Sequence, residues 1–101
     1  GEFMSKFVLI YHGGKPPETD EEKDQVMAAW GEWIQSAGDA LTDIGNPFGP
    51  PVSIGGEAGD PATGYSIIEA VDVDGVKALL GNHPMAGADG ARIDIHEAFN
   101  M

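Results

Sequence analysis

The stretch Gly64-Tyr-Ser-Ile-Ile-Glu-Ala-Val-Asp72 decides how the rest of the chain is interpreted. Its glycine opens a segment in which Ile67, Ile68 and Val71 are β-branched, and β-branched side chains favour strands. The aspartate at its end, or Asp74 just beyond it, belongs to a residue type that caps helices. We therefore predict that residues 64–72 form a strand leading directly into a helix, and that the other elements pack around this strand.

Composition restricts the class of protein. The sequence has 101 residues, 42% of them hydrophobic, which indicates one small globular domain. Gly1–Phe3 precede Met4 and resemble a cloning scar, so residues 4–101 are predicted to form that domain. A formal net charge of −12 disfavours binding to nucleic acid or to an anionic membrane surface. The chain has no cysteine, which excludes disulfides, thiolate catalysis and Cys-based zinc sites.

The N-terminal third is predicted to contain a strand and a helix. Ser5–His12 includes the continuous apolar run Phe7–Tyr11, typical of a strand buried on both faces. This run is too short for a signal peptide or a membrane span, so we expect a cytoplasmic protein. Thr19 and Glu22 form a capping box, and the apolar spacing that follows predicts a helix ending at Gly38. Within this helix Gly31 is expected to allow close packing.

The remaining elements are shorter. Ala40–Ile44 is predicted to be an edge strand, and Val52–Ile54 is a candidate continuation of it. Gly55–Thr63 is a polar, glycine-rich loop. Val73–Leu80 is predicted to be a second helix, and Ala91–Phe99 a fourth strand with clean polar and apolar alternation.

The resulting order, β-α-β-β-α-β, predicts an α+β ferredoxin-like fold. In this fold a four-stranded antiparallel sheet carries both helices on one face. The other face must then meet water or a second copy of the chain. If Ile93 and Ile95 face the helices, Asp94 and His96 face the opposite side.

His96 is the first candidate for chemistry. Tyr65, Ile67 and Glu69 share one face of their strand by the same period, and if this is the face of His96, then Glu69 and His96 flank the first strand in one cavity. A carboxylate near an imidazole raises the pKa of the histidine and supports general acid–base catalysis. Alternatively, these are polar groups at a wet dimer interface.

Other polar residues lie where predicted strands end. Tyr11 and His12 end the first strand and Asp43 ends the second, so all three are candidates for one pocket rim. Alternatively, His12 has an exposed ring and Asp43 accepts a hydrogen bond from the backbone of the following turn.

The segment Gly45–Pro51 is a candidate binding loop. Asn46 would offer an amide to a ligand, and Phe48 an apolar wall. The alternative is a rigid turn in which Phe48 plugs an edge of the core.

Two further features have structural interpretations. Trp30 and Trp33 are predicted to pack onto the sheet, the alternative being to stack on an aromatic ligand. His83, which precedes Pro84, is predicted to be a surface turn residue. No two histidines have the local spacing of metal ligands, and no phosphate loop or dinucleotide fingerprint occurs, so we predict neither a metal site nor a cofactor.

Several motifs, in chain order, resemble the YCII-related (DGPF-like) family. The resemblance covers nearly the whole native chain and implies a dimeric α/β barrel, a homodimer whose two sheets face each other. The motifs are Phe7–Tyr11 with His12-Gly13-Gly14, Trp30-Gly-Glu-Trp33, Gly38-Asp-Ala-Leu-Thr-Asp43, Gly45-Asn-Pro-Phe-Gly-Pro50, Gly64-Tyr-Ser-Ile-Ile-Glu-Ala70 and Ile93-Asp-Ile-His-Glu97.

This resemblance implies little about chemistry. Most members of the family are small bacterial proteins of unassigned function, and one branch looks like dehydrochlorinase domains acting on chlorinated aromatic breakdown products. A better-studied branch has a histidine on the first helix that is proposed to be catalytic. The present sequence has no histidine in that helix, where Met27 and Trp30 occupy the region.

Two functions therefore stay open. The first is a cofactor-free enzyme that carries out elimination, isomerisation or cyclisation of a small organic molecule, with His96 as acid or base and Glu69 or Asp94 adjusting it. The second is a non-catalytic dimer that binds a ligand or a regulatory protein partner. An enzyme needs a shielded histidine with a shifted pKa, whereas a binding module needs only shape and an apolar lining.

Overall fold

The structure is a computed structural model that describes residues 4–100, and its elements follow the predicted order. They are β1 (Ser5–Gly13), α1 (Asp20–Ala37), a 3-10 turn (Gly38–Ala40), β2 (Leu41–Asp43), β3 (Ala62–Ala70), α2 (Val73–Leu79) and β4 (Ala91–Ala98). The strands form one antiparallel sheet in the order β2-β3-β1-β4. This is the predicted ferredoxin-like arrangement. Neither helix of the described chain combines the length and apolar content that a bilayer crossing requires.

Local sequence explains where the helices begin. Thr19 Oγ1 accepts a hydrogen bond from the Glu22 amide at 3.1 Å, and Glu22 Oε2 accepts one from the Glu18 amide at 2.8 Å. The first bond satisfies a free amide of the first turn, as predicted, whereas Glu22 bonds the amide one residue before the cap rather than that of Thr19, so the predicted capping box forms only in part. Asp72 caps α2 in the same way, since its Oδ1 accepts from the Gly75 amide at 2.9 Å.

The sheet has one face covered by the helices, called here the helix face. Register places Ile93 opposite Tyr11 and Ile95 opposite Leu9, so both isoleucines lie on this face and the condition stated for Asp94 and His96 is met. Burial of apolar side chains between the helices and this face supplies the main stabilisation of the domain. The buried core consists of Phe7, Leu9, Tyr11, Trp33, Ala37, Ile68, Ala70, Val76 and Leu80.

The other side of the sheet, called here the open face, carries the alternate residues of each strand. It mixes half-buried apolar side chains with charged ones. Its members are Val8, Ile10 and His12 from β1, Tyr65, Ile67 and Glu69 from β3, and Arg92, Asp94 and His96 from β4.

The second edge-strand segment was predicted wrongly. Val52–Ile54 is not a strand, and the side chains of its two ends are 96% and 100% exposed. Instead, Pro47 forms an isolated bridge with Gly64 of β3. A proline has no amide to donate and cannot extend a regular ladder, so β2 ends after three residues.

Candidate functional site

A pocket of about 630 Å³, called here the helix-side pocket, opens between α1 and the end of the sheet where β1 stops. One wall is a stripe of α1 residues at the spacing i, i+3, i+4 and i+7, which share one side of a helix. The facing wall is the segment after β2, and residues of the sheet and of the loop after α2 close the space. The lining residues are Tyr11, Met27, Trp30, Gly31, Ile34, Ile44, Gly45, Asn46, Pro47, Thr63, Gly64 and Met85.

The segment after β2 is fixed against β3 by hydrogen bonds. Asp43 Oδ1 accepts from the Gly45 amide at 2.9 Å, which is the turn interaction considered for this aspartate. The Tyr65 amide donates to the Asn46 carbonyl at 3.4 Å. Gly45 has a φ of +81°, and a Cβ there would lie 1.7 Å from the Tyr65 carbonyl oxygen, so only glycine fits.

A chain of hydrogen bonds runs behind the pocket from His83 to the backbone of Ile44. His83 Nδ1 accepts from the Met85 amide at 3.0 Å, which leaves Nε2 as the ring nitrogen that carries the proton. Nε2 lies 3.1 Å from the Tyr11 hydroxyl, which donates to Ser66 Oγ at 2.6 Å. Ser66 Oγ in turn donates to the Ile44 carbonyl at 2.6 Å, so each proton of the chain has an acceptor.

Burial keeps both titratable groups of this chain neutral near pH 7. It lowers the pKa of His83 to about 4. It also raises the pKa of Tyr11 to about 12, an effect that the hydrogen bond with Ser66 partly offsets. The chain is therefore a neutral, satisfied polar network.

The prediction that His83 is a surface turn residue is wrong, because the residue is only 4% exposed. Its ring packs against the rings of Trp33, Trp30 and Tyr11, with centroids 4.3, 4.7 and 5.1 Å away. The turn after α2 folds this side chain inward beneath α1. The sequence around it has turn residues on both sides, and nothing local signals the aromatic cage that receives the ring.

A second cluster lies on the open face, where β1 ends beside β4. Arg92 donates through Nη2 to Asp60 Oδ2 at 2.6 Å and through Nε to Asp94 Oδ1 at 3.0 Å. The hydrogen bond from Arg92 lowers the pKa of the Asp94 carboxyl, which is therefore ionised near neutral pH. Together with His12, these residues form what we call the His12 cluster.

His12 lies between the two carboxylates of this cluster. Its Nε2 is 3.3 Å from Asp94 Oδ2, and its Nδ1 is 3.6 Å from Asp60 Oδ2. The side chain is only 13% exposed, so the alternative of an exposed ring is wrong. Nδ1 is buried and has no hydrogen-bond partner among the described residues. The imidazole therefore contacts a carboxylate through each ring nitrogen, and no hydrogen bond joins it to either one among the described residues.

The predicted catalytic residues share the open face, but the expected pair does not form. Glu69 lies opposite Lys6, whereas His96 lies opposite Val8. Among residues 4–100 no hydrogen bond or ion pair joins Glu69 to His96. The histidine that approaches a carboxylate is His12, which was predicted without a partner.

The predicted ligand-binding residues divide between the two faces. Tyr11 and Asn46 line the helix-side pocket. The hydroxyl of Tyr65 donates to Asp43 Oδ2 at 3.3 Å, and the ring of Phe48 stacks on Tyr65 with centroids 5.6 Å apart.

The prediction that Tyr11, His12 and Asp43 line a single pocket rim is therefore wrong. Neighbouring side chains of a strand point to opposite faces, which separates Tyr11 from His12. Phe48 is 45% exposed and does not plug the core.

The two tryptophans of α1 have different roles. Trp33 is completely buried and donates from Nε1 to the Leu79 carbonyl at 2.9 Å, which confirms the predicted core packing. Trp30 is half-buried and forms part of the pocket wall beside Met27 and Gly31. The sequence signal for this wall is the helical spacing itself, which does not reveal whether a stripe meets the sheet or a cavity.

Comparison with known proteins identifies a solved structure with a similar fold. No protein-family profile and no curated protein matches the chain. A solved structure that is similar to it is 5-chloro-2-hydroxyhydroquinone dehydrochlorinase from Burkholderia phenoliruptrix AC1100, in complex with 2,5-dihydroxybenzoquinone. The TM-score is 0.57 and the sequence identity 19%, over 94% of this chain and 95% of that one. At this identity the similarity shows a shared fold.

Proposed function

We propose that the chain binds a small organic molecule in the helix-side pocket. The observation that supports this is the pocket itself, whose volume of about 630 Å³ lies within the usual range for ligand sites. Its lining is mostly apolar and aromatic, with Trp30 and Tyr11 in the wall, and Asn46 and Thr63 are its polar members.

Binding is tested by calorimetric titration with phenol, hydroquinone and 2,5-dihydroxybenzoquinone. We expect saturable binding of at least one of these compounds. Met27→Glu should weaken it several-fold, because Met27 lines the pocket and the substitution replaces an apolar contact of the ligand with a hydrated carboxylate.

The matched control is Val26→Glu, which adds the same charge one residue away, at a side chain outside the lining. This variant should bind like the wild type. Absence of saturable binding by all three compounds, or equal losses in the two variants, would contradict the proposal.

A second candidate function is acid–base catalysis at the His12 cluster. It is favoured by the 3.3 Å approach of His12 Nε2 to Asp94 Oδ2, together with the buried, unpartnered Nδ1. In this hypothesis Asp94 and Asp60 hold the imidazole between them, and the ring exchanges a proton with a small organic molecule. The fold similarity to a dehydrochlorinase is compatible with an elimination, in which a base removes a proton as chloride leaves.

Chloride release from 5-chloro-2-hydroxyhydroquinone is the corresponding assay. If the hypothesis is correct, the wild type releases chloride, His12→Gln abolishes the release and His96→Gln retains it. If both variants lost chloride release equally, the result would support the catalytic role that was predicted for His96 from the sequence. No release by the wild type would leave binding as the function.

We also propose that a second copy of the chain covers the open face, as the resemblance to the YCII-related family implies. Support comes from the flat shape of the molecule, 44 × 39 × 19 Å, and from the half-buried Val8, Ile10 and Ile67 on that face. In such a homodimer the His12 cluster would be shielded from water. Light scattering tests this directly, and a stable monomer at micromolar concentration would contradict it.

A further inference from the structure

We propose that Gly31 is the residue that sets the specificity of the helix-side pocket: its missing side chain leaves a slot in the α1 wall that admits a flat, uncharged ring. This inference rests on the proposed binding function and specifies the class of ligand.

The first observation is that nothing in the packing explains a glycine at this position. Gly31 lies in the interior of an 18-residue helix, where glycine is less favourable than alanine. A Cβ built there meets no atom within 4 Å, and the residue does not have a positive φ. The expectation that Gly31 allows close packing is therefore wrong, since no atom lies within 4 Å of the position that its Cβ would take.

The second observation is where that side chain would go. Gly31 lies on the same stripe of α1 as Met27 and Ile34, and all three line the pocket. A larger residue at position 31 would extend into the space between α1 and the Ile44–Pro47 segment. The glycine therefore keeps open the part of the pocket nearest the middle of the helix.

Aromatic geometry favours a flat ligand. The rings of Trp30 and Tyr11 meet edge to face, with centroids 5.6 Å apart and an interplanar angle of 76°. Both residues line the pocket, so it offers aromatic surface in two nearly perpendicular orientations. Tyr11 is only 5% exposed, so a planar ring would stack on Trp30 and meet the small exposed part of Tyr11 with its edge.

The charge distribution favours an uncharged ligand. None of the residues that line the pocket is charged, so a carboxylate or phosphate would lose its hydration there without gaining a partner. The net charge of −12 adds long-range repulsion of anions. The nearby Tyr11 and His83 are neutral for the reasons given above.

The test compares Gly31→Leu with the matched variant Gly31→Ala. 2-Naphthol and 2-naphthoate serve as probes of nearly equal size, only the second being anionic at pH 7. We expect the wild type and Gly31→Ala to bind 2-naphthol at least tenfold more tightly than 2-naphthoate. Gly31→Leu should lose at least tenfold in affinity for 2-naphthol while its melting temperature stays at or above that of the wild type.

A readout that needs no ligand separates this inference from the binding proposal. Acrylamide is a small neutral quencher of tryptophan fluorescence, and of the two tryptophans only Trp30 lines the pocket, while Trp33 is fully buried. Gly31→Leu should reduce the quenching constant at least twofold, and Gly31→Ala should leave it nearly unchanged.

The outcomes are distinguishable. If the wild type binds 2-naphthol and Gly31→Leu binds it equally well, or is quenched equally, the role of Gly31 is overturned while pocket binding stands. If 2-naphthoate binds as tightly as 2-naphthol, the preference for an uncharged ring is overturned. If quenching falls as expected but no small aromatic compound binds, Gly31 does keep the slot open, and the proposed binding function fails.

Discussion

The two faces of the sheet each hold a mostly buried histidine, and the two are in opposite chemical situations. On the helix face, His83 lies among three aromatic rings, and both ring nitrogens have hydrogen-bond partners. On the open face, His12 lies between two carboxylates and one of its nitrogens has no partner in the described chain. The difference teaches that burial alone does not mark a reactive histidine. A satisfied ring stabilises the fold, whereas an incompletely satisfied one beside carboxylates is the better candidate for chemistry.

The largest effect that would test this contrast is expected for His83→Ala. Removing the ring opens space among Tyr11, Trp30 and Trp33 and leaves the Met85 amide without its acceptor. We expect the free energy of unfolding in urea to fall by about 3–5 kcal/mol.

His96→Ala is the control, because His96 is an exposed residue of the open face. Substitutions at such positions usually change stability by less than about 0.5 kcal/mol. Similar losses in the two variants would mean that the helix-face histidine has no special structural role.

A slightly smaller change in the free energy of unfolding is expected when the pH is lowered. The pKa of His83 is lowered by burial from 6.5 to about 4, so between these values the unfolded chain binds more protons than the folded chain. The free energy of unfolding therefore rises with pH through this window. The stabilising contribution is complete above pH 6.5 and is lost as the pH falls towards 4, by about 3 kcal/mol in total.

The measurement is urea unfolding of the wild type and of His83→Gln at several pH values from 4 to 7.5. Carboxylates titrate in both proteins, so the difference between the two curves isolates the histidine. Parallel curves would contradict the lowered pKa and the buried, neutral state of His83.

The smallest change in unfolding free energy is expected for the loss of a tyrosine hydroxyl, which can be compared between one tyrosine on each face. Tyr11→Phe removes the hydroxyl that links His83 to Ser66 and should cost about 1–2 kcal/mol in unfolding free energy, since buried polar groups lose a partner. Tyr65→Phe removes only an exposed contact with Asp43 and should cost less than about 0.5 kcal/mol. A neutral result for Tyr11→Phe would mean that the polar chain behind the pocket contributes little.

The fold was predictable because its signals are local. The caps at Thr19 and Asp72 fix the start of each helix, and alternation in β4 correctly separated Ile93 and Ile95 from Asp94 and His96. The error at Val52–Ile54 came from treating an apolar segment as a strand when it is fully exposed. The prolines that precede this segment prevent it from continuing the strand, whatever its hydrophobicity.

The candidate site was less predictable because its contacts join distant segments. His12 contacts Asp60, which lies in the loop before β3, and Tyr11 contacts His83, which lies in the turn after α2. Strand period grouped Asp94 with His96 and Tyr65 with Glu69, and the register of the sheet places both groups on the open face. It does not determine which carboxylate reaches which imidazole, because that depends on register and on loop conformation.

The short length of β2 has a consequence for self-association. An edge strand exposes unpaired amides and carbonyls that can recruit strands from other molecules. At one edge of this sheet, three residues of β2 and then Pro47 offer almost no template for such pairing. The opposite edge, β4, is eight residues long, and Arg92, Asp94 and Glu97 place charge along it. Aggregation through strand pairing should therefore begin at β4, and neutralising those charges, rather than changing β2, is what would expose the protein to it.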